Sequence, residues 1–318
     1  MFLTTDQDRG MFVIIDTPSP DGTLQDYSAE RCKEMILLAM GKSDIDVEIV
    51  DMAHWQPIQR VADRFQEGRI FLVGDAAHTM PPKLGLGVNT AIQSAQNLAW
   101  KLAAVLKGNA APALLGTYQK ERHPVGWLAA EQSLTGPAAA LFEKEIGGGS
   151  QQTPEHQLPI IEPIIGYRYR SEAILSEDAA TPAQDGIELL DNLELLGQPG
   201  TRVPHLWVER EGRRISTLDL LDGRFVLLTG PDGTPWHEAT QAVAAGQGIS
   251  LAAYSLGPNA DLRDPENGWP TKMGISAEGA VLVRPDGFVA WRTSTLPTNP
   301  SQQLEQVFAY ILGRANKA

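Results

Sequence analysis

The chain has 318 residues, 42% hydrophobic and 20% charged, with a formal net charge of −13 at pH 7. That length allows two domains with a sizeable core, and that charge disfavours nucleic acid and anionic membranes as general partners. The single cysteine, Cys32, excludes an internal disulfide and fits a reducing, cytoplasmic compartment, and no apolar run reaches bilayer length.

The start, Met1 to Asp8, is acidic and polar, unlike a secretory signal. Residues 11–16 predict a strand and Pro18 to Gly22 a turn. Ser28 is placed to cap a helix running to Met40, with Gly41 as its stop. Residues 46–51 alternate, with Val47 and Ile49 on one face, and a second extended stretch is expected around residues 55–61.

The most informative stretch begins at Arg69. Ile70 to Val73 read as a short covered strand, which Gly74-Asp75 ends. Pro81-Pro82 stiffens the following loop, and Gly85 and Gly87 let the backbone approach a ligand closely. A long helix is expected over residues 90–107, with Ile92, Ala95, Ala99, Leu102 and Leu106 at helical spacing on a buried face. A helix start carries unpaired N–H groups and partial positive charge, so a flat or anionic group can sit there. Asp75, at a strand end, can accept hydrogen bonds from sugar hydroxyls. A plain strand–loop–helix with a structural aspartate is the competing reading.

Farther on, Tyr118, Glu121 and Arg122 read as structural, with an ion pair internal to a helix and His123-Pro124 marking a bend. A further helix to about Glu145 and a linker at residues 147–154 follow. Residues 171–200 are acidic and loop-rich. From Gly200 strands and turns dominate: residues 200–205, 216–220 and 225–230, a helix over 236–245, a strand over 249–256, a hairpin turning at Pro285-Asp286-Gly287, and a last helix over 302–312. The six histidines lack metal-ligand spacing. His78 is expected to be packed or hydrogen-bonded, His205 to fix a turn, Cys32 to be buried, and Trp100 and Lys101 to serve packing and surface. No Cys-x-x-Cys exists for thiol redox work.

Gly74-Asp75-Ala76-Ala77-His78, Pro81-Pro82, Gly85-Leu86-Gly87-Val88-Asn89 and Asn97 to Leu102 resemble the second flavin-binding motif of the FAD-dependent aromatic-ring hydroxylases, the para-hydroxybenzoate and phenol hydroxylase family with its polyketide branch. Residues 114–125 and 164–169 resemble further family segments. The resemblance implies an α/β chain in four parts. Residues 1–62 would be the tail of a substrate-binding mixed sheet, and 63–146 the second flavin motif with its helices. Residues 147–199 would be a linker, and 200–318 a thioredoxin-like domain used in packing and association. One departure is visible: where the family usually has two glycines, this chain has Leu84-Gly85, preceded by Lys83.

By the same resemblance Asp75 holds the ribityl chain of FAD, Pro81 lines the ring, and Gly85, Leu86, Gly87, Val88 and Asn89 offer backbone contacts to its pyrimidine end. The implied reaction has NADPH or NADH reduce FAD, oxygen add at flavin C4a, and one oxygen atom pass to an aromatic or polyketide substrate. No substrate base declares itself. The family's Gly-x-Gly-x-x-Gly strand–turn–helix motif has no counterpart here, and Asp21-Gly22 and Asp222-Gly223 read as ordinary turns rather than its middle Asp-Gly motif. The expectation is therefore a C-terminal part of such a fold, lacking the N-terminal Rossmann part, with weak or absent FAD binding by itself. Its expected protein partner is a second copy or the N-terminal half of the same enzyme. A non-catalytic association module is the rival. A flavin halogenase ranks low without Trp-x-Trp-x-Ile-Pro.

Overall fold

The computed structural model describes residues 2–4, 6, 9–14, 27–53, 58–134, 157–177 and 186–314. The chain divides into two compact units, residues 1–58 with 137–149, and residues 59–136 with 150–318. The turn expected at Pro18, the helix segment to Glu145 and the linker at 147–154 lie outside the described residues.

In the first unit β1 (Phe2–Thr4) pairs antiparallel with β2 (Gly10–Phe12). Helix α1 (Ala29–Met40) begins and ends where its caps dictate. The Ser28 hydroxyl accepts from the Arg31 N–H at 3.2 Å, and Gly41 takes the left-handed conformation at φ 62°. Cys32 is buried, as expected. Residues 46–51 form no strand: Val47 and Ile49 are half-buried and their neighbours exposed, but no described segment pairs with them. The period was read correctly; the missing ladder partner is what denies it strand status.

The second unit opens with two small antiparallel pairs. β3 (Arg60–Val61) pairs with β6 (His78–Thr79), and β4 (Gln66–Glu67) with β5 (Ile70–Phe71). The strand expected over residues 70–73 is thus one arm of a two-residue ladder. It is not covered: Ile70 is 69% exposed and Phe71 to Val73 are half-buried. Two long helices follow, α2 (Leu86–Leu106) and α3 (Gly116–Ser133). Helix α3 continues past His123-Pro124, where the sequence predicts a bend, to Ser133. Its lower half is held by packing: Val125, Gly126 and Ala129 are buried, and a Cβ at Gly126 would stand 2.8 Å from Phe65 Cζ. Tertiary contact overrides proline's local preference here.

After the short α4 (Glu162–Ile165), β7 (Tyr167–Arg170) pairs with β8 (Gly186–Leu189), and β8 lies inside the stretch 171–200 read as loop-rich. A hairpin of β9 (Trp207–Arg210) and β10 (Arg213–Ser216) follows. Residues 200–205 contribute only an isolated bridge, Arg202 to Phe288, instead of a strand. The main sheet has the order β12 (Leu251–Ser255), β11 (Phe225–Thr229), β13 (Ala280–Val283), β14 (Val289–Thr293); β11 and β12 are parallel and the other pairs antiparallel. The hairpin turns at Pro285 to Gly287, as expected, with Gly287 at φ 82°.

Strand alternation gives this sheet two buried faces. Phe225, Leu227, Ala280 and Leu282 face α5 (Thr234–Gln247), α7 (Pro300–Ile311), and Trp100 and Leu114. Val226, Leu228, Val281 and Val283 face Val208, Leu262 and the short α6 (Trp269–Met273). The Trp100 ring meets Phe225 edge-on at 5.6 Å, so α2 is part of the core of the C-terminal sheet.

Candidate flavin site at the head of a two-faced helix

Val73 leads into a single 3-10 turn, Gly74–Ala76, with Gly74 at φ 63°. A Cβ at Gly74 would sit 3.7 Å from the Ala91 Cβ, so this turn lies against the second turn of α2. Asp75 is exposed and hydrogen-bonded to nothing among the described residues. The Tyr118 hydroxyl donates to the Leu72 carbonyl at 2.6 Å, anchoring the approach to Asp75 on α3. Burial pushes that phenol up to about 12.

Pro81 is buried, and Pro82–Leu84 make another 3-10 turn that closes on Gly85 at φ 64°. Helix α2 therefore starts at Leu86, four residues before the expected position, because Gly85 supplies the left-handed turn that admits the chain. Leu86, Gly87, Val88 and Asn89 form its first turn, whose N–H groups have no partner within the helix. Leu86 is buried, Gly87 half-buried, and Gly85, Val88 and Asn89 exposed. The Asn89 amide donates to the Gly85 carbonyl at 2.9 Å and stiffens the turn. Nothing lies within 4 Å of a Cβ built at Gly85. An open helix head with unpaired N–H groups, beside an uncommitted carboxylate, fits an electron-rich ring carrying a polyol arm.

His78 is buried beneath this loop, beside Phe65 and Gly126. Neither ring nitrogen has a hydrogen-bond partner, so of the two expected states the packed one holds. Burial, with Arg122 adding to it and Asp75 opposing, pushes its pKa down and keeps the ring neutral. His205 Nδ1 lies 2.7 Å from the Ser216 hydroxyl, across the neck of the β9–β10 hairpin. Among the described residues no cluster could hold a metal ion, and no helix is long and apolar enough to cross a membrane.

The middle of α2 corrects the sequence reading in two ways. Ile92, at 62%, and Leu106, at 83%, are exposed, as are Ala95 and Ala99, whereas Thr90, Ser94, Asn97 and Lys101 are buried. Both sets have helical spacing; the polar set is the one facing inward here. Lys101, expected at the surface, is fully buried. Its ammonium donates to Glu121 Oε2 at 2.8 Å. Glu121 also accepts from Asn97 at 2.6 Å, Ser171 at 2.6 Å and both terminal nitrogens of Arg284 at 2.7 and 2.9 Å. Asp286, in the hairpin turn, accepts from Asn97 and the Trp100 indole, each at 3.1 Å, and from Arg284 Nε at 3.0 Å.

Glu121 and Arg122 are not each other's partners, since adjacent helix residues point apart. Arg122 donates to the hydroxyls of Tyr167 and Tyr169 at 2.9 and 2.7 Å, to Ser94 at 3.0 Å and to the Thr90 carbonyl at 3.2 Å. This cluster ties α2 and α3 to the turn of the C-terminal hairpin. Burial lowers the Lys101 pKa to about 8 although Glu121 opposes it. Burial alone would raise the Glu121 carboxyl, but the Arg284 and Lys101 charges outweigh it and hold that group far below the usual range. Reading Asn97 and Lys101 as part of the polar stripe Thr90-Ser94-Asn97-Lys101 would have flagged them; nothing local points to Arg284 and Asp286.

Known proteins share sequence and fold with this chain. Residues 1–133 match the family model described as FAD binding domain, and residues 197–315 the one described as aromatic-ring hydroxylase, C-terminal. Over these two stretches the chain matches the FAD-dependent aromatic-ring hydroxylases. It is 41% identical over 288 residues to a 4-methyl-5-nitrocatechol 5-monooxygenase from Burkholderia sp, covering 91% of this chain and 52% of that protein. It is 42% identical over 288 residues to a tetracenomycin B2 monooxygenase-dioxygenase from Streptomyces olivaceus, with 91% and 51% covered. Among solved structures it is similar to a ternary complex of aklavinone-11 hydroxylase with FAD and aklavinone, with TM-score 0.78 and 37% identity over 93% of this chain and 54% of that one. The chain thus spans about half the length of the relatives it matches.

Proposed function

We propose that this chain supplies the ring end of the flavin site in an FAD-dependent monooxygenase acting on an aromatic or polyketide substrate, with NADPH or NADH as reductant and molecular oxygen as co-substrate. The relatives' activities, and the FAD and aklavinone bound in the aklavinone-11 hydroxylase structure, support the class of reaction. The observation that carries the reading is the exposed, uncommitted Asp75 beside the open head of α2. When bound, flavin would supply the activation of oxygen.

In this reading the chain's own residues hold and polarise. Asp75 accepts hydrogen bonds from the ribityl hydroxyls. The N–H groups of Leu86 to Asn89, with Gly85 leaving room, stabilise negative charge at the pyrimidine edge. Pro81 stiffens the loop and lines the ring. The C-terminal sheet, with its β-α-β-β-α order, is read as thioredoxin-like without a dithiol, serving packing and association. Residues 1–62 are read as the tail of the substrate-binding sheet.

Titration with riboflavin, FMN and FAD tests the assignment. If the chain grips only ring and ribityl arm, the three bind weakly and alike, and Asp75→Ala weakens all three. A chain that keeps FAD through gel filtration, or binds FAD tenfold more tightly than riboflavin, contradicts it.

A further inference from the structure

A cavity of about 530 Å³ lies in the C-terminal part of the chain, and none of its lining residues belongs to the flavin reading. Its apolar wall is made by Leu193, Leu195, Leu196 and Pro204, the leucines half-buried and the proline buried. Asn192, Glu194, His205 and Lys272 complete the lining and are exposed. An apolar floor with a few polar groups at its rim is the usual make-up of a small-molecule site, and the volume falls in the range of such sites.

The walls are tied to each other. Arg292, on β14, donates to the Leu196 carbonyl at 2.8 Å and to the Met273 carbonyl at 3.1 Å. It thereby joins the 192–196 wall to the end of α6, which carries Lys272. Glu177 holds that guanidinium through bonds of 2.5 and 3.0 Å. The first wall is also strained: Asn192 and Leu193 are consecutive left-handed residues, at φ 52° and 58°. Leucine enters that region rarely and at a cost, and such strain gathers where a surface is shaped for a ligand. His205 is fixed as well. The Ser216 hydroxyl accepts from the Leu218 N–H at 3.0 Å and lies 2.7 Å from His205 Nδ1. Among the described residues its own proton has no acceptor but Nδ1, so a neutral His205 carries its hydrogen on Nε2. Neither that Nε2–H nor the Lys272 ammonium has a partner among the described residues.

We propose that this cavity binds a small carboxylic acid with an apolar body. The carboxylate takes the Lys272 ammonium and the His205 Nε2–H, and the body lies on Leu193, Leu195, Leu196 and Pro204. One cation and one neutral donor match a single negative charge. Glu194, on the same rim, repels a second one, which ranks a phosphate monoester below a carboxylate. A ligand amine would meet Glu194 but also the Lys272 charge, and would leave the His205 N–H without an acceptor. The site stands or falls independently of the flavin reading.

Titration of the full chain with 2-naphthoate, followed by backbone amide shifts, tests it, with 2-naphthylmethanol, acetate and 2-naphthyl phosphate as comparison probes. The expected result is that 2-naphthoate shifts residues 192–196, 205 and 272 and binds about tenfold more tightly than each of the other three. Lys272→Gln and His205→Phe should each weaken naphthoate about fivefold or more and leave naphthylmethanol unchanged, whereas Lys272→Arg should keep naphthoate binding. The phenylalanine keeps a ring against Trp207, and both positions are exposed, so the variants should melt with the parent. The proposal is overturned if naphthoate and naphthylmethanol bind alike, if the phosphate binds more tightly than the carboxylate, or if Lys272→Gln binds naphthoate as the parent does. Shifts that fall elsewhere in the chain, or no shift at millimolar naphthoate, overturn it too.

Discussion

The first turn of α2 leaves its backbone N–H groups without partners in the helix, whereas the stretch from Asn97 to Lys101 has all but one of its side-chain polar groups committed. At the head, Asp75 is exposed without a hydrogen bond among the described residues, and nothing lies within 4 Å of a Cβ built at Gly85. Three turns on, Asn97, Trp100 and Lys101 donate to Glu121 and Asp286. The difference shows how a binding site is kept ready. Uncommitted groups are costly to hold in place unless something nearby is rigid, and a closed buried network provides that rigidity. The price is sensitivity: breaking one member leaves buried charges without partners.

The most damaging way to break the contrast is Glu121→Leu. It leaves the Lys101 and Arg284 cations buried with Asp286 as the remaining carboxylate. We expect a loss of roughly 3–5 kcal/mol in urea unfolding, and a smaller loss for Glu121→Gln, which keeps hydrogen-bonding capacity. Gly126→Ala tests the floor under the loop instead. The new Cβ would meet Phe65 Cζ at 2.8 Å, and overpacking of this kind costs about 1–3 kcal/mol. A variant as stable as the parent would show that Phe65 and His78 can yield.

The pH dependence of stability separates the committed groups from the open ones. The Arg284 and Lys101 charges hold the folded-state pKa of Glu121 far below the ordinary carboxylate range, about 4.3. Its contribution is therefore full above that value and lost as pH falls below it. Lys101 has a folded pKa of about 8 against 10.5. The cost of burying its charge is full below about 8 and is relieved as pH rises through that interval. The urea midpoint should carry both limbs, with the alkaline rise missing in Lys101→Met and the acid limb flattened in Glu121→Gln. Asp75→Ala should change stability least, by less than ~0.5 kcal/mol, because its carboxylate is exposed and unbonded. A large destabilisation there would mean that the open end is structural after all.

Much of this was legible in the chain. Helix α1 has a serine and a glycine at its ends that satisfy or terminate the backbone locally. The hairpin turning at Pro285 to Gly287 needed no more than its turn residues and flanking apolar runs. The candidate flavin residues were legible as a motif, and the structure adds that Leu86 to Asn89 form the first turn of α2. The apolar spacing from Ile92 to Leu106 was legible, but its direction was not.

Local chemistry, then, was written in the order of the residues: caps, turns, the spacing of apolar positions, and the loop that opens α2. The fate of each helix face was decided only by the tertiary structure, because the partners that settle it are remote. Arg284 reaches Glu121 across 163 positions and Asp286 meets Asn97 across 189. No window along the chain contains both members of either pair, so the burial of Lys101 and the exposure of Ile92 follow from how the hairpin packs against α2 and α3.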